Sequence, residues 1–289
     1  MIDLPYVDDI QIRPQKASTS LMSPIELDYC QKEIIDLLDK GLIEPAKSPW
    51  AYRAFYVNKH SKIKRGQPHM VIKYKPLNAV LKNMAYPLPN QAALLQKLKG
   101  CNIFSKFDLK SGFYQIGIAA KDCYKMAFVV PHGQYQWKVM PFGLNNAPSE
   151  FQKRMEDVLN GIDCLIIYID DLLVCSKNIQ HQKHLQIFCE HCVKHGLALS
   201  KSKIEVGVTD VSFLGLKISN GSIALQDHVL LNLQNFLEQI LDKTQLQRFL
   251  GSLNYIRRFY KGQAQDLVVL QQRLKKLPIP WNQAMTQAV

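Results

Sequence analysis

No stretch of this chain approaches the ~20 consecutive apolar residues that a membrane-spanning helix requires. The nearest candidate, 164–175, is interrupted by Asp170 and Asp171, so no membrane segment is expected. A secretory leader is not expected either, because Met1-Ile2-Asp3-Leu4-Pro5 has neither a basic start nor an apolar run. Cysteine is present without the pattern of a disulfide framework. Seven cysteines, an odd number in 289 residues, point instead to a reducing compartment, with nucleus and cytoplasm equally open. Internal repeats and low-complexity tracts are missing, which excludes solenoids and biased linkers. Negative charge is in deficit: 24 acidic residues face 36 Lys and Arg, a formal charge of +12. That excess favours a polyanionic partner, through attraction to phosphates and release of condensed counterions. A merely basic, solvated surface would give the same sum.

What is present is enough apolar material for a core. Hydrophobic residues make up 47% of the chain and are spread along it, which excludes global disorder and allows two or three subdomains. The first ~20 residues are polar without a period and read as an arm. Ser23-Pro24-Ile25-Glu26 then reads as a helix start: a Ser cap, Pro in the first turn and Glu three residues after the Ser. Leu27, Ile34, Leu37 and Leu38 supply an apolar stripe, and Gly41 ends it. Alternation predicts strands at 54–57 and 70–72, linked by a polar segment with Lys59, Lys62, Lys64 and Arg65. That link is a basic hairpin or an ordinary solvated loop. Further strands are predicted at 103–107, and at 125–130 and 135–139 around the turn Pro131-His132-Gly133-Gln134. A helix begins at Ala147-Pro148, with Phe151, Met155, Val158 and Leu159 on one face and Gly161 beyond its end. A strand-turn-strand unit at 164–175, a helix at about 178–195, a second hairpin region ending in Phe213-Leu214-Gly215 and a mostly helical remainder complete the reading.

The informative residues are carboxylates. Tyr168-Ile169-Asp170-Asp171 has apolar runs on both sides, which describes two buried strands joined by a tight turn. Adjacent carboxylates at such a tip repel each other in a low-dielectric setting, and a divalent cation is the natural way to neutralise them. Taken alone, an Asp-Asp turn can equally be a solvated turn. Asp108 shifts that balance, because it too ends an apolar strand. If the strands pair, three carboxylates converge on one sheet edge. Such a set suits two metal ions ~4 Å apart that activate a hydroxyl and stabilise a leaving oxygen. Phosphoryl transfer needs that positioning and neutralisation more than covalent chemistry.

At this point the residues resemble a known family. Phe107-Asp108-Leu109-Lys110-Ser111-Gly112-Phe113-Tyr114-Gln115-Ile116 resembles the first catalytic motif of reverse transcriptases. Met140-Pro141-Phe142-Gly143-Leu144-Asn145-Asn146-Ala147-Pro148-Ser149-Glu150-Phe151-Gln152 resembles the second, and Tyr168 to Asp171 the third. Together with Gln247 to Tyr255, the details are similar to plant pararetroviruses of the caulimovirus type and their integrated relatives, with Gypsy-type retrotransposons next. The resemblance runs from about residue 20 to 281. It implies that Asp108 and Asp170 hold Mg²⁺ (two ions, with Mn²⁺ as a substitute), with Asp171 adding charge beside them. It implies that Phe113 sits beneath the incoming sugar and excludes a 2′-hydroxyl. Without the resemblance Phe113 reads equally well as a core aromatic. Phe142 and Gly143 would line the nucleotide pocket, and Lys203, with Lys201 as rival, would stand near the leaving pyrophosphate. Tyr168 would contact primer and template, Phe213-Leu214-Gly215 would grip the primer end, and Arg248, Arg257, Arg258 and Lys261 would face the duplex from a thumb. For those four basic residues, a solvated helix face is the plain alternative.

Two positions depart from the family pattern. His69 stands where an arginine usually contacts the triphosphate, giving less charge and no planar fork. Lys73 stands where an acidic or amide residue is usual, and Lys59 is placed to replace part of the lost phosphate contact. These are the marks of a drifting genomic copy. The chain also stops at Trp281 to Val289, about where a ribonuclease H domain begins in relatives, so polymerisation alone is expected. His181, His184, Cys189, Cys192 and His195 mimic a zinc cluster, but their segment reads as a helix with Leu185, Phe188, Cys192 and Leu197 on a packed face.

The expected fold is therefore α+β, a right hand with fingers, a palm built on a small antiparallel sheet, and a helical thumb. Its divisions are an arm (1–20), fingers and palm (21–222), thumb (223–280) and the start of a connector (281–289). The expected activity is RNA-directed DNA polymerisation, extending a DNA primer on an RNA or DNA template with deoxynucleoside triphosphates. The alternative is a degenerate relic that only binds nucleic acid.

Overall fold

The computed structural model describes residues 1–7, 13–57, 69–177, 180–219, 222–234, 240, 242–256, 263–275 and 279–288. The chain forms two compact units. The first comprises Met1–Leu94, Lys106–Val174 and Gln182–Glu205, the second Leu95–Ser105, Cys175–His181 and Val206–Val289.

In the first unit, helix α1 (Pro24–Asp39) starts as its sequence predicts. The Ser23 hydroxyl accepts from the Glu26 N–H while the Glu26 carboxylate accepts from the Ser23 N–H, a closed capping box. Strands β1 (Ile43–Pro45), β2 (Tyr52–Val57) and β3 (His69–Ile72) precede two short helices, α2 (Lys75–Asn78) and α3 (Gln91–Lys97). Then come β4 (Ile103–Asp108), β5 (Phe128–Val130), β6 (Gly133–Trp137), α4 (Ala147–Val158), β7 (Leu165–Tyr168), β8 (Asp171–Ser176), α5 (His181–His195) and β9 (Glu205–Val208), of which β4, β8, α5 and β9 run across the division between the units. One sheet has the order β1-β6-β5-β2-β3 and includes a parallel β2–β5 pair, Tyr52 opposite Phe128. A second has the order β7-β8-β4-β9, with β7 and β8 antiparallel. Between these elements lies a core containing Tyr52, Tyr74, Phe128, Met140, Phe151 and Phe188. Removing each such side chain from water is worth roughly 2 kcal/mol.

Two expectations change. The strand predicted from residue 125 begins at Phe128, because Ala120–Met126 forms a 3₁₀ helix. That helix turns Asp122 and Lys125 inward as a buried ion pair, 2.7 Å apart. The pair explains the second change. Asp122 accepts from the Leu4 N–H (2.9 Å) and Lys125 donates to the Leu4 carbonyl (2.7 Å), so the first residues form a strap fixed to the core rather than a loose arm. Ile2 and Leu4 are buried, and Ile2 bridges Ile118 while Tyr6 bridges Leu81.

The second unit contains an antiparallel meander of β10 (Asp210–Phe213), β11 (Leu216–Ser219) and β12 (Ser222–Leu225). Helices α6 (Asp227–Gln234), α7 (Lys243–Ile256), α8 (Gln263–Gln271) and α9 (Gln283–Ala288) follow. Leu246, Phe249 and Leu253 line one face of α7 and share a core with Ile240, Leu270 and Met285. Trp281 and α9 pack into that helical core. No helix among the described residues is long and apolar enough to cross a membrane.

Candidate active site

Asp108 ends a strand in which Phe104, Ser105 and Phe107 are buried. Phe107 stacks on Phe188 with ring centres 4.6 Å apart, leaving Asp108 at the edge with 20% of its side chain exposed. Beside it, β7 and β8 pair with Tyr168 opposite Asp171, which makes Ile169-Asp170 the tip of a two-residue turn. The three aspartates are thereby brought together in the first unit, as their strand positions predict.

Asp170 bears the electrostatic load. Its Oδ1 is buried with no hydrogen-bond partner. Burial first, then the charges of Asp108 and Asp171, push its carboxyl up to about 6, while Lys203 acts in the opposite direction. The neighbouring carboxylates have cationic partners. Lys203 Nζ lies 3.0 and 3.1 Å from the two Asp108 oxygens, and Lys106 Nζ lies 3.8 Å from Asp171. The rival Lys201 is exposed and has no such contact among those described. Lys106, Asp108 and Lys203 line a cavity of about 270 Å³ with Ser202, Ile204 and Glu205. Among the described residues no three ligating side chains already stand as a closed metal cage. The donors nonetheless fit a hard divalent cation: they are oxygen-only and anionic, and one is an orphaned buried oxygen.

The approach to these carboxylates is walled by rings. Phe113 lies 5.0 Å from Phe142 and 5.3 Å from Phe151, centre to centre. Tyr114 stacks on Trp137 and meets Phe142 edge-on. Phe142 is 47% exposed and Gly143 follows it with φ +98°, a conformation that glycine adopts without strain. Beside them Glu33, Met70, Ile72, Tyr114 and Trp137 complete an aromatic-walled cavity of about 220 Å³.

Several residues here escape sequence reasoning. Asn78 donates to the Gly143 carbonyl (2.9 Å) and accepts from the Asn145 N–H (3.0 Å), so it fixes the loop carrying Phe142. Gln115 donates to the carbonyls of Lys110 and Ala198 and accepts from the Ala198 N–H, tying the Lys203 loop to the strand end at Asp108. Lys73 shares a 280 Å³ cavity with Lys16 and Arg53, whose guanidinium is held by Ser18. The Asn78 contacts and the Gln115–Ala198 pair join residues far apart in sequence that look unremarkable singly.

Other predicted positions lie elsewhere or outside the described residues. His69 belongs to β3. Lys59, Lys62, Lys64, Arg65, Arg257, Arg258 and Lys261 fall outside the described residues. In the second unit, Leu214 (φ +51°) and Gly215 (φ +77°) form the turn of a hairpin, whereas the Phe213 ring is buried beneath it. Arg248 is exposed on α7. In α5, Phe188 and Cys192 are buried and Cys189 is exposed, so the two cysteines face different surroundings.

Residues 57–218 match the family described as reverse transcriptase (RNA-dependent DNA polymerase). The chain belongs to the reverse transcriptase family. Its curated relatives include the genome polyprotein of petunia vein clearing virus, 41% identical over 290 residues, covering all of this chain and 13% of the polyprotein. The enzymatic polyprotein of cauliflower mosaic virus is 39% identical over 277 residues, covering 94% of this chain and 40% of the relative. This reverse transcriptase chain therefore resembles the plant pararetroviruses and spans well under half the length of those relatives. Among solved structures, the foamy viral protease-reverse transcriptase bound to an RNA/DNA hybrid superposes with a TM-score of 0.82 at 22% identity, over 97% of this chain and 38% of that one. The foamy viral protease-reverse transcriptase in complex with double-stranded DNA gives 0.83 at 23%, over 96% and 49%. The shared fold is the right-hand polymerase fold of reverse transcriptases.

Proposed function

We propose that the chain is an RNA-directed DNA polymerase that extends a DNA primer on an RNA or DNA template. The primer 3′-hydroxyl attacks the α-phosphate of a deoxynucleoside triphosphate, one phosphodiester forms, and pyrophosphate leaves. The observation that carries this reading is the convergence of Asp108, Asp170 and Asp171 around an unpartnered buried oxygen, with Lys203 on Asp108.

In this reading the three aspartates hold two Mg²⁺ ions, for which Mn²⁺ can substitute. Bound there, the ions would supply phosphate charge neutralisation and a more acidic attacking hydroxyl. Lys203, exposed along 63% of its side chain, exchanges Asp108 for the departing pyrophosphate. Phe113, backed by Phe142 and Phe151, is the floor under the sugar and leaves no room for a 2′-hydroxyl. Phe142 and Gly143 line the nucleotide pocket, and His69 faces the triphosphate; Lys59, assigned to the same role by its sequence position, lies outside the described residues. Tyr168, the Phe213-Leu214-Gly215 hairpin and Arg248 contact primer and template, with the Leu214-Gly215 tip rather than the buried Phe213 ring as the contacting part. The net charge of +12 favours the duplex through counterion release. Complexes of the foamy viral enzyme with double-stranded DNA and RNA/DNA hybrid support the same class of partner.

The test is Mg²⁺-dependent extension of a DNA primer on an RNA template, with Asp170→Asn as control. Extension by the parent and silence of the variant support the reading. Silence of both, with salt-sensitive duplex binding retained, would replace it with a nucleic-acid-binding relic.

A further inference from the structure

Ile169 stands at φ +52°, a left-handed conformation that a β-branched residue rarely adopts. It immediately precedes Asp170, so whatever holds Ile169 also sets where the two following carboxylates point. Gln152, in the first half of α4, does the holding. Its side chain is completely buried. Its Oε1 accepts from the Ile169 N–H at 2.7 Å, and its Nε2 donates to the Ile167 carbonyl at 3.1 Å. One amide thus grips the turn on both sides of Tyr168.

An amide can do this in one orientation alone, since the flipped form sets an oxygen against a carbonyl and an NH₂ against an N–H. Glu156, one helical turn along α4, fixes that orientation. Its Oε1 accepts from Gln152 Nε2 at 2.7 Å, and its Oε2 accepts from the Tyr86 hydroxyl. The result is a satisfied polar chain, Tyr86 to Glu156 to Gln152 to the turn, running beside an apolar core.

We propose that Gln152, aligned by Glu156 and Tyr86, is the positioning residue of the Tyr168–Asp171 turn, and that it sets the affinity and placement of the cations held by Asp170 and Asp171. The proposal rests on the polymerase reading above for its kinetic consequence. Its binding consequence can be measured without that reading.

The experiment compares Gln152→Met, which keeps length and burial but no hydrogen bond, with Glu156→Leu and Glu156→Gln. Each is titrated with Mn²⁺ by calorimetry, then with Mg²⁺ during primer extension. Losing the support of a metal-binding carboxylate weakens the metal by about 10- to 100-fold. Gln152→Met should show that loss in Mn²⁺ affinity and in kcat, with duplex affinity and the KM for deoxynucleotide unchanged. Glu156→Leu should show a smaller loss of the same kind, and Glu156→Gln, which keeps an acceptor oxygen for Gln152, should recover most of it. Should Gln152→Met fail to fold, the two Glu156 variants decide the matter. Unchanged Mn²⁺ affinity in well-folded Gln152→Met or Glu156→Leu would overturn the proposal, as would a parent that binds no Mn²⁺. If the parent binds Mn²⁺ but extends nothing, the polymerase reading fails, and the calorimetric series still tests the brace.

Discussion

A Cβ placed on Gly112 would lie 2.3 Å from Asp170 Oδ1 and 3.0 Å from the Phe151 ring. Gly112 is therefore the floor against which the most buried carboxylate of the site rests. Gly112→Ala should displace that carboxylate rather than the fold, because the nearest atom is the end of a side chain. A misplacement of this size is worth about 100-fold in rate. The expected result is a kcat loss of that order with a melting temperature close to the parent's.

Asp170 makes the metal-free protein pH-sensitive. Its folded-state pKa is raised from 3.8 to about 6, so between those values the folded chain keeps a proton that the unfolded chain releases. The stabilisation is fully present below pH 3.8 and is lost as pH rises through 6. With partial solvent screening of the site allowed for, Asp170→Asn should raise metal-free stability at pH 7.5 by on the order of 2 kcal/mol, and leave it almost unchanged near pH 3.5. Urea melts in chelator at the two pH values measure this. A variant no more stable than the parent at pH 7.5 would contradict the assigned burial.

Lys203 separates stability from chemistry. Its ion pair with Asp108 is largely exposed on the lysine side, so Lys203→Met should change stability by less than about 1 kcal/mol. It should also let Asp170 titrate at higher pH, since the lysine charge opposes that shift. Primer extension should nevertheless fall by about 100-fold or more, the usual scale for a positioned group that aids a leaving anion. Equal rates in parent and variant would remove the lysine from the reaction.

Phe113 packs between Phe142 and Phe151. Phe113→Ala opens the space beneath a bound sugar, and ribonucleotide incorporation relative to deoxynucleotide should rise by about 10- to 100-fold. Competitive single-nucleotide extension reads the ratio directly. An unchanged ratio would return Phe113 to a plain core role.

Leu4 is 2% exposed and its backbone is hydrogen-bonded to the buried Asp122–Lys125 pair. Leu4→Ala should cost about 2–5 kcal/mol, which denaturant titration would show.

The strands that carry the three aspartates were legible because their pattern is local. Apolar runs ending in Asp108 and flanking Asp170-Asp171 announce strands and a turn, and Ser23-Pro24-Ile25-Glu26 announces its own cap. Long-range contacts that fix the strap and the carboxylates in place were not legible. The burial of Leu4 on Asp122, the Gly112–Asp170 approach, and the grip of Gln152 on Ile169 join residues 17 to 118 positions apart. No periodicity encodes such pairs. The strand expected from residue 125 failed for a related reason: the apolar run from Met126 to Val130 looks like β structure until Lys125 is given a buried partner in the N-terminal strap.

The ring sequence Phe142, Tyr114, Trp137 has a practical consequence. Trp137 is 3% exposed and stacks on Tyr114, whose ring meets the solvent-facing Phe142 edge-on. An indole two rings behind the mouth of a pocket is a built-in optical reporter. Ligands that press on Phe142 should perturb its emission, so occupancy could be followed in real time without a label. Of the two other tryptophans, Trp50 is stacked on Tyr52 and Trp281 belongs to the second unit. Replacing both with phenylalanine would leave a single spectroscopic voice at the mouth of the pocket.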